Sequence, residues 1–365
     1  MTKIKDITQV LQAFAPLSYQ ESYDNSGLQT GNPDDEVTGV LLTLDCTLAV
    51  LEEAIANNCN LIIAHHPVIF KPLKKLTGSN TVERVIIKAI QHQIAIYACH
   101  TNLDNVLPGV NARIADKIGL INKQILAPKT HDLLKLVTFV PIENTSTVLE
   151  ALYAAGAGQI GDYKNCSFRT EGTGTFTPTA QANPYIGEAH KQENVSENRL
   201  EVILPEHIKN RIVSALLAAH PYEEVAYDLY RLENINQEAG SGMLGELPQP
   251  IPAAEFIAYL KEKMELKMVR HTDLLSKAIQ KVALCGGAGS FLIKDALRQQ
   301  ADIFITADLK YHDFFAAEDK IVLADIGHYE SEVFTKELFY DIIIKKFTNF
   351  AILKSKVNTN PVRYT

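Results

Sequence analysis

Apolar runs alternate with amphipathic segments over the first third of the chain. Gly39 to Leu44 and Leu61 to Ala64 are nearly continuous apolar runs, typical of strands covered on both faces. The segment Thr47 to Asn57 between them has apolar residues at helical spacing, and a third apolar run, Ile94 to Ala98, follows a further helical segment. This β-α-β-α-β order predicts a largely parallel sheet with right-handed crossovers.

The pattern changes near residue 133, where alternating apolar and polar positions replace the continuous runs. Four alternating segments predict strands, and helical segments follow the first and the third of them. These strands are Leu134 to Val140, Cys166 to Thr175, Arg199 to Leu204 and Val225 to Leu232. The β-α-β-β-α-β order predicts a ferredoxin-like α+β domain with an antiparallel sheet.

After residue 241 the α/β pattern resumes, so we predict one α/β domain that a second domain interrupts. The two parts of the α/β domain are residues 1–127 and 241–365, and the inserted ferredoxin-like domain is residues 128–240. We expect linkers near Ala127-Pro128 and from Asn234 to Gly245, because these stretches are rich in turn-forming residues.

Composition narrows the class of protein. The chain has 365 residues, 46% of them hydrophobic, with a net charge of −8 and a pI near 5.8, so no overall positive charge favours nucleic acid or an anionic membrane. No apolar stretch reaches the roughly 20 residues of a membrane helix, and the polar start is unlike a signal peptide. Five cysteines without a Cys-x-x-Cys spacing indicate reduced thiols. We expect a cytoplasmic protein.

Polar side chains capable of binding metal follow three predicted strands. His65 and His66 end the second strand, and Pro67 turns the chain out of the sheet there. His100 and Asp104 follow the third strand, so all four are expected at the carboxyl edge where α/β sheets bind ligands. The alternative is structural, with one histidine of the doublet in the core, the other solvated, and Asp104 capping a helix.

His328 and Glu332 lie four residues apart at the start of a predicted C-terminal helix that extends through Phe347. Residues at this spacing share one helix face, whereas Glu330 points elsewhere. An ordinary ion pair on the helix surface would explain the same spacing.

Imidazole and carboxylate groups without thiolates suit zinc, manganese, iron, cobalt or nickel. Five or six such groups exceed the needs of one tetrahedral zinc ion, so we predict two divalent ions per chain, with zinc the first candidate. A carboxylate has to bridge the two ions, and either Glu332 or Asp104 could do so.

Two further features have weaker chemical meaning. The segment Cys285 to Ser290 is rich in glycine between a strand and a helix, which suits either an anion-binding loop or a tight turn. His312 follows another strand and is a candidate acid, base or substrate contact, or a purely structural residue.

Several motifs together resemble the Nif-three-like dinuclear-metal-centre family, whose members are often described as GTP cyclohydrolase type 2 homologues. The motifs are Asp24 to Leu28, Ala64 to Pro67, His100 to Asp104, Thr306 to His312 and Gly327 to Glu332. The resemblance implies metal ligation by His65, His66, Asp104, His328 and Glu332. It places His100 and His312 close to the site, as candidate acid/base or substrate-contact residues.

The inserted segment resembles the PII/CutA-like domain of the longer bacterial members of that family. The matching motifs are Gly156-Ala157-Gly158, Gly172 to Phe176 and His220 to Glu224. The resemblance implies a toroidal homohexamer. It also implies a metal-dependent hydrolase with a nucleotide-like substrate, and a non-enzymatic metal-binding regulator, carrier or assembly protein is the alternative.

Overall fold

The computed structural model describes residues 1–365, which form two compact units. Met1–Pro128 and Glu238–Thr365 form one unit, here called the discontinuous unit. Lys129–Gln237 form the other, here called the inserted unit.

The chain begins with alternating helices and strands. They are α1 (Ile4–Phe14), β1 (Gly27–Thr30), β2 (Gly39–Thr43), α2 (Leu48–Ala56), β3 (Leu61–Ala64), α3 (Thr81–Gln91), β4 (Ala95–Ala98), α4 (Thr101–Asp104), α5 (Val110–Lys117) and β5 (Ile121–Lys129). Local signals set the helix starts, because Thr47 Oγ1 accepts from the Val50 amide and Asn80 Oδ1 accepts from the Glu83 amide.

The inserted unit follows with the predicted β-α-β-β-α-β order. Its elements are β6 (Leu133–Pro141), α6 (Thr145–Ala154), β7 (Ser167–Phe176), β8 (Glu193–Pro205), α7 (Lys209–Ala219) and β9 (Tyr227–Arg231). The strands form one antiparallel sheet in the order β7-β8-β6-β9, the order of a split β-α-β fold. Its own core packs the two helices on one face of the sheet, and Leu136, Leu152 and Leu216 are fully buried there.

The last part of the chain returns to the discontinuous unit. Its elements are β10 (Asn236–Ile251), α8 (Ala253–Lys263), β11 (Arg270–His271), β12 (Ile279–Ala288), α9 (Ile293–Arg298), β13 (Ile303–Ala307), β14 (Val322–Asp325), α10 (His328–Glu332), α11 (Thr335–Ile344) and β15 (Ala351–Lys354). The predicted single C-terminal helix is wrong, because the helix is broken after Glu332 and a strand follows α11.

The discontinuous unit contains two sheets. The first has the order β1-β4-β3-β2-β15 and is parallel except for β1. The second has the order β11-β14-β13-β12-β10-β5, with β12, β13 and β14 parallel. Strand β15 joins the first sheet from the far end of the chain, so the two parts of the sequence fold together. The prediction of a mixed α/β fold is confirmed.

Side chains on the two faces of the first sheet enter different cores. Val40 and Leu42 pack with helices α1 and α11, whereas Leu41 packs with α2 and α3 on the opposite face. Both faces are therefore covered by helices, which explains the continuous apolar runs in the sequence. No helix of the chain is both long and apolar enough to cross a membrane.

The expected linkers are strands. Ala127 and Pro128 belong to β5, and most of Asn234 to Gly245 belongs to β10, its neighbour in the second sheet. A Cβ atom at Gly240 would lie 2.3 Å from the Ala127 carbonyl oxygen. The glycine therefore serves close backbone packing in the sheet, and not chain flexibility.

Candidate metal centre

The histidine doublet lies where β3 ends, as the sequence predicts. The His65 amide donates to the Thr43 carbonyl at 3.2 Å and the His66 amide donates to the Leu44 carbonyl at 3.0 Å, which extends the parallel pairing past the strand. His65 is fully buried, whereas the side chain of His66 is 22% exposed. The doublet therefore presents one ring inside the protein and one at the wall of a cavity.

Glu332 lies between the histidines of two sheets. Its Oε2 atom is 3.0 Å from Nε2 of His66 and 3.0 Å from Nε2 of His328. Its Oε1 atom is 3.7 Å from Nε2 of His65. The Glu332 carboxylate thus faces three imidazoles: Oε2 faces His66 and His328, and Oε1 faces His65.

Asp104 completes the inner side of the cluster. Its Oδ1 atom lies 3.6 Å from His65 Nε2, and both atoms are buried without a hydrogen-bond partner. Buried polar atoms are rarely left unpaired, so two such atoms facing each other suit the binding of a cation. Three groups of donors result, and two of them share Glu332: His65 with Asp104 and Glu332, and His66 with His328 and Glu332. In each group the donor atoms lie within 4.8 Å of one another.

Every histidine in the cluster is held by its Nδ1 atom. His65 Nδ1 donates to the Cys99 carbonyl at 2.9 Å, and because a carbonyl only accepts, Nε2 of His65 carries the free lone pair. His66 Nδ1 lies 2.7 Å from Asp45, and His328 Nδ1 lies 2.7 Å from Asp308. Such partners orient imidazoles towards a metal and raise their basicity.

His100 joins the same cavity from the start of α4. Its Nδ1 atom lies 2.8 Å from Asp24 Oδ1, and one of its ring nitrogens is within 4.8 Å of ring nitrogens of His65 and His66. The hydroxyl of Ser26 and the amide of Thr101 also donate to Asp24. Burial opposes ionisation of Asp24, but the hydrogen bonds from His100 and Thr101 outweigh it and lower the pKa of this carboxyl.

The pKa values of the clustered side chains show how the charges of the site are balanced. Burial favours neutral His66, but hydrogen bonds with Asp45 and Glu332 raise its pKa to about 10. The pKa of His328 rises to about 9 by the same balance, with Glu332 and Asp308 as partners. Burial, and then repulsion by Glu332, raises the pKa of Asp104 well above its usual range. Without a cation, bound protons therefore offset the negative charge of the site.

Glu332 shows the opposite shift to Asp104. Burial would raise its pKa, but the close contacts with His328 and His66 hold it well below the usual range. The pKa of His65 is lowered, mainly because the ring is buried. Neutral His65 and ionised Glu332 are the protonation states in which these groups bind metals.

Gly287 makes room for the Glu332 carboxylate. Its φ angle is +64°, and a Cβ atom there would lie 2.4 Å from Glu332 Oε1. The amide of Gly286 donates to Asn111 Oδ1 and the amide of Gly287 donates to Ser331 Oγ, both at 2.9 Å. Because protein atoms already accept from these two amides, neither is free to bind an anion.

The structure brings His65, His66, His100, Asp104, His328 and Glu332 together around one cavity. It does not bring His312 there, because this exposed ring lies on the 3₁₀ turn Tyr311–Ala317 and contacts Tyr311 and Phe315. Sequence reasoning did not assign roles to Asp45 and Asp308, which each follow a strand and hold a histidine. Their positions just after strands are the signal that could have found them.

Comparison with known proteins shows the family of the chain. The family model described as Duf34/NIF3 (NGG1p interacting factor 3) matches residues 2–361. The chain therefore belongs to the Duf34/NIF3 family, and the resemblance inferred from the motifs is confirmed.

Relatives and solved structures match along the whole chain. A Halalkalibacterium halodurans protein named GTP cyclohydrolase 1 type 2 homolog is 39% identical over 363 residues, covering 98% of each chain. A Bacillus subtilis protein of the same name is 38% identical over 369 residues, covering 99% of this chain and 98% of its own. The crystal structure of a Bacillus cereus protein related to NIF3 has a TM-score of 0.88 and 36% identity, covering 100% of this chain and 99% of its own.

Proposed function

We propose that this protein binds two divalent metal ions and acts as a metal-dependent hydrolase on a nucleotide-like substrate. His65, Asp104 and Glu332 Oε1 would hold one ion, and His66, His328 and Glu332 Oε2 the other. The observation that carries this proposal is the position of Glu332, whose two oxygens face two separate sets of donors. Zinc is the first candidate because the donors are imidazoles and carboxylates, and manganese, iron, cobalt and nickel accept the same set.

At such a centre, divalent cations acidify a water and stabilise negative charge that develops on the substrate. The surrounding residues orient the metal-binding rings and exclude water. Asp45, Asp308 and the Cys99 carbonyl fix the histidine rings, so that Nε2 of each faces the cavity. Burial of Glu332 and of Asp104 Oδ1 keeps water from competing for these oxygens.

His100 is the candidate proton carrier. Asp24 holds its Nδ1 atom and stays ionised, which fixes the ring and leaves the other nitrogen free to take or give a proton. The ring also lines the cavity beside His66 and Asp104, where a substrate atom would react. His312 does not line this cavity, so we assign it no part in the reaction.

The cavity supports a substrate with an aromatic base. It has a volume of about 490 Å³, and Tyr23, Phe70 and Phe291 line it together with the metal-binding side chains. The Tyr23 and Phe70 ring centroids are 6.3 Å apart, and Phe70 also lies 6.3 Å from the His100 ring. Exposed aromatic rings of this kind stack on nucleobases, for about 1–3 kcal/mol per base. The curated relatives are named as homologues of GTP cyclohydrolase, which is consistent with a purine nucleotide.

We also propose that the chain assembles into a homohexamer in the cytoplasm and that residues 128–240 are a PII/CutA-like domain. The rings of Tyr311 and Phe315, at 73% and 66% exposure and with centroids 5.5 Å apart, support burial of this surface against other copies. The antiparallel β-α-β-β-α-β topology supports the proposed domain type.

Metal analysis joined to a nucleotide hydrolysis screen tests the proposal. We expect about two equivalents of a divalent metal per chain after gentle purification, and metal-dependent turnover of a purine nucleotide by liquid chromatography. A protein that holds one ion or none after reconstitution would contradict the dinuclear site. A fully loaded protein that turns over no nucleotide would contradict the hydrolase and favour a regulator, carrier or assembly protein.

A further inference from the structure

A second cavity lies wholly within the inserted unit and has no role in the proposed hydrolase. It has a volume of about 720 Å³. Two motifs of the sequence, Gly172 to Phe176 and His220 to Glu224, are far apart along the chain and contribute residues to its wall. Strand β7 carries the first motif, and the loop before β9 carries the second. The fold therefore brings both motifs to one pocket.

Three aromatic rings cluster in the cavity wall. The centroid of the Tyr222 ring lies 5.9 Å from that of Phe176 and 6.2 Å from that of Tyr185, with interplanar angles of 63° and 50°. Aromatic rings at a cavity wall attract a cation through their electron-rich faces, within about 6 Å of a ring centroid.

A buried carboxylate lies beside these rings. Glu197 is 6% exposed and accepts a hydrogen bond from Tyr222 Oη at 2.7 Å, and no cationic side chain pairs with it. Burial and this hydrogen bond raise the pKa of Tyr222, so its hydroxyl remains the donor and Glu197 the acceptor. A buried carboxylate normally has a positive partner, and Glu197 lacks one within the protein.

Gly174 preserves the space for this carboxylate. A Cβ atom at position 174 would lie 2.0 Å from Glu197 Oε2. The φ angle of Gly174 is not in the left-handed region, so the backbone alone does not require glycine there. Glycine is required at position 174 because a side chain there would collide with the Glu197 carboxylate.

The charge of the wall is negative. Glu171, Glu197, Glu223 and Glu224 line the cavity, and Arg199 is the one lysine or arginine that does so. Arg199 Nε donates to Glu201 Oε1 at 3.0 Å, so its charge is already paired with a carboxylate that does not line the cavity. A segment after β7 closes over the cavity, where the Asn183 amide donates to Glu223 Oε1 at 2.8 Å.

We infer that this cavity binds a small organic ammonium cation, with Glu197 as its counter-ion and the rings of Phe176, Tyr185 and Tyr222 around its head group. A metal ion fits the site less well, because hard cations need several convergent oxygen ligands. No group of three His, Cys, Asp or Glu donor atoms converges in the inserted unit. Aromatic rings with a carboxylate are instead the surroundings that recognise alkylated ammonium groups.

Calorimetric titration of the full-length, metal-loaded protein tests this inference. The probes are choline, tetramethylammonium and the neutral analogue of choline in which carbon replaces the nitrogen. We expect saturable binding of both cations, and binding of the neutral analogue weaker by at least about tenfold. Glu197→Gln and Tyr185→Leu should each weaken choline binding by about tenfold or more, without changing the metal content.

Matched controls separate the site from general effects. Glu150→Gln removes an exposed carboxylate on α6, and Tyr230→Leu removes a half-exposed ring on β9, and neither residue lines the cavity. Both should bind choline as the parent protein does. Tyr185 is 53% exposed, so its replacement keeps the test valid if the Glu197 variant does not fold.

Three results would overturn the inference. They are the absence of saturable binding of either cation at millimolar concentration, equal binding of choline and its neutral analogue, and equal losses in the site and control variants. Because these titrations do not measure hydrolysis, their failure leaves the proposed metal centre unaffected, and failure of hydrolysis leaves the ammonium site unaffected.

Discussion

Gly287 and Glu332 are in such close contact that a methyl group on the first would collide with the carboxylate of the second. A Cβ atom at position 287 would lie 2.4 Å from Glu332 Oε1 and 3.3 Å from His328 Cε1. The backbone of Gly287 also has a φ angle of +64°, which disfavours other residues. Gly287, near the end of β12, therefore belongs to the candidate metal centre because its lack of a side chain leaves room for the Glu332 carboxylate.

Gly287→Ala should lower both metal content and stability. The left-handed backbone costs alanine about 1–2 kcal/mol, and displacement of Glu332 should weaken metal binding in addition. Elemental analysis and chemical unfolding measure the two effects. Gly172→Ala is the control, because a Cβ atom there meets nothing within 4 Å. Unchanged metal content in the Gly287 variant would contradict the contact.

Glu332→Gln should release most of the bound metal while keeping the shape of the side chain. The amide lacks the negative charge that two cations and their imidazole ligands require. Glu330→Gln is the matched control, since Glu330 lies two residues away and accepts from Asn360 Nδ2 at 2.9 Å instead. Elemental analysis of both purified variants measures the metal that each retains. Equal loss in the two variants would show that a general charge effect, and not ligation, holds the metal.

Asp45→Asn should weaken metal binding without removing a direct donor. Asp45 lies 2.7 Å from His66 Nδ1, and loss of such partners lowers metal affinity by about 10–100-fold. Competition with a chromogenic chelator measures the change. Asp319→Asn, at an exposed position that does not line the metal cavity, should leave the affinity unchanged. An unaltered affinity in the Asp45 variant would mean that His66 needs no such support.

Glu83 should stabilise the metal-free protein near neutral pH, and this stabilisation should be lost in acid. Its carboxylate accepts from the amides and hydroxyls of Thr77 and Ser79 and from Asn80 Nδ2, at 2.8–3.1 Å. These bonds, led by the one from the Thr77 amide, lower its pKa to about 2. Because the pKa is lower in the folded state, the stabilisation is present above the unfolded value of about 4.5 and is lost as the pH falls towards about 2.

Urea unfolding of metal-free protein at pH values across this window measures the effect, because metal loss then does not contribute. Glu83→Gln should be less stable than the parent near neutral pH, and the difference should shrink in acid. Glu255→Gln, at an exposed position on α8, should follow the parent at every pH. A constant difference between the Glu83 variant and the parent would contradict the pKa argument.

Removal of residues 129–237 should leave metal binding intact. Every candidate metal-binding residue belongs to the discontinuous unit, and the inserted unit has a core of its own. A short linker can join the cut ends, since Pro128 lies against Gly240 in the neighbouring strand. Metal analysis of the shortened protein, with circular dichroism to confirm folding, is the measurement. A folded protein without metal would show that the inserted unit contributes to the site.

Most individual elements could be predicted from the sequence because their signals are local. The helical spacing of α1, the continuous apolar runs of β2 and β3 and the alternation of β6 each arise from burial of one or both faces. Strand β15 could not be found in this way. Its four residues pair with β2 from the other end of the chain, and only that pairing makes them a strand.

Strand β10 shows why glycines mislead sequence reasoning. Gly240 and Gly242 suggested a flexible linker, but each lies in the strand with a positive φ angle and a close neighbour. A Cβ atom on Gly242 would lie 2.8 Å from a Leu292 methyl carbon. The packing that requires glycine involves residues distant in the chain, so no local pattern reveals it.

The sequence by itself determined which residues can bind metal. His65 and His66 at a strand end, and His328 and Glu332 four residues apart on a helix, follow from local geometry that is independent of the rest of the fold. Only the tertiary structure decided that these groups meet, that Glu332 rather than Asp104 lies between the two donor sets, and that His312 lies elsewhere. The reason is physical: the two sheets that carry the donors come together through long-range packing, and the distances between their edges are not encoded in any short segment.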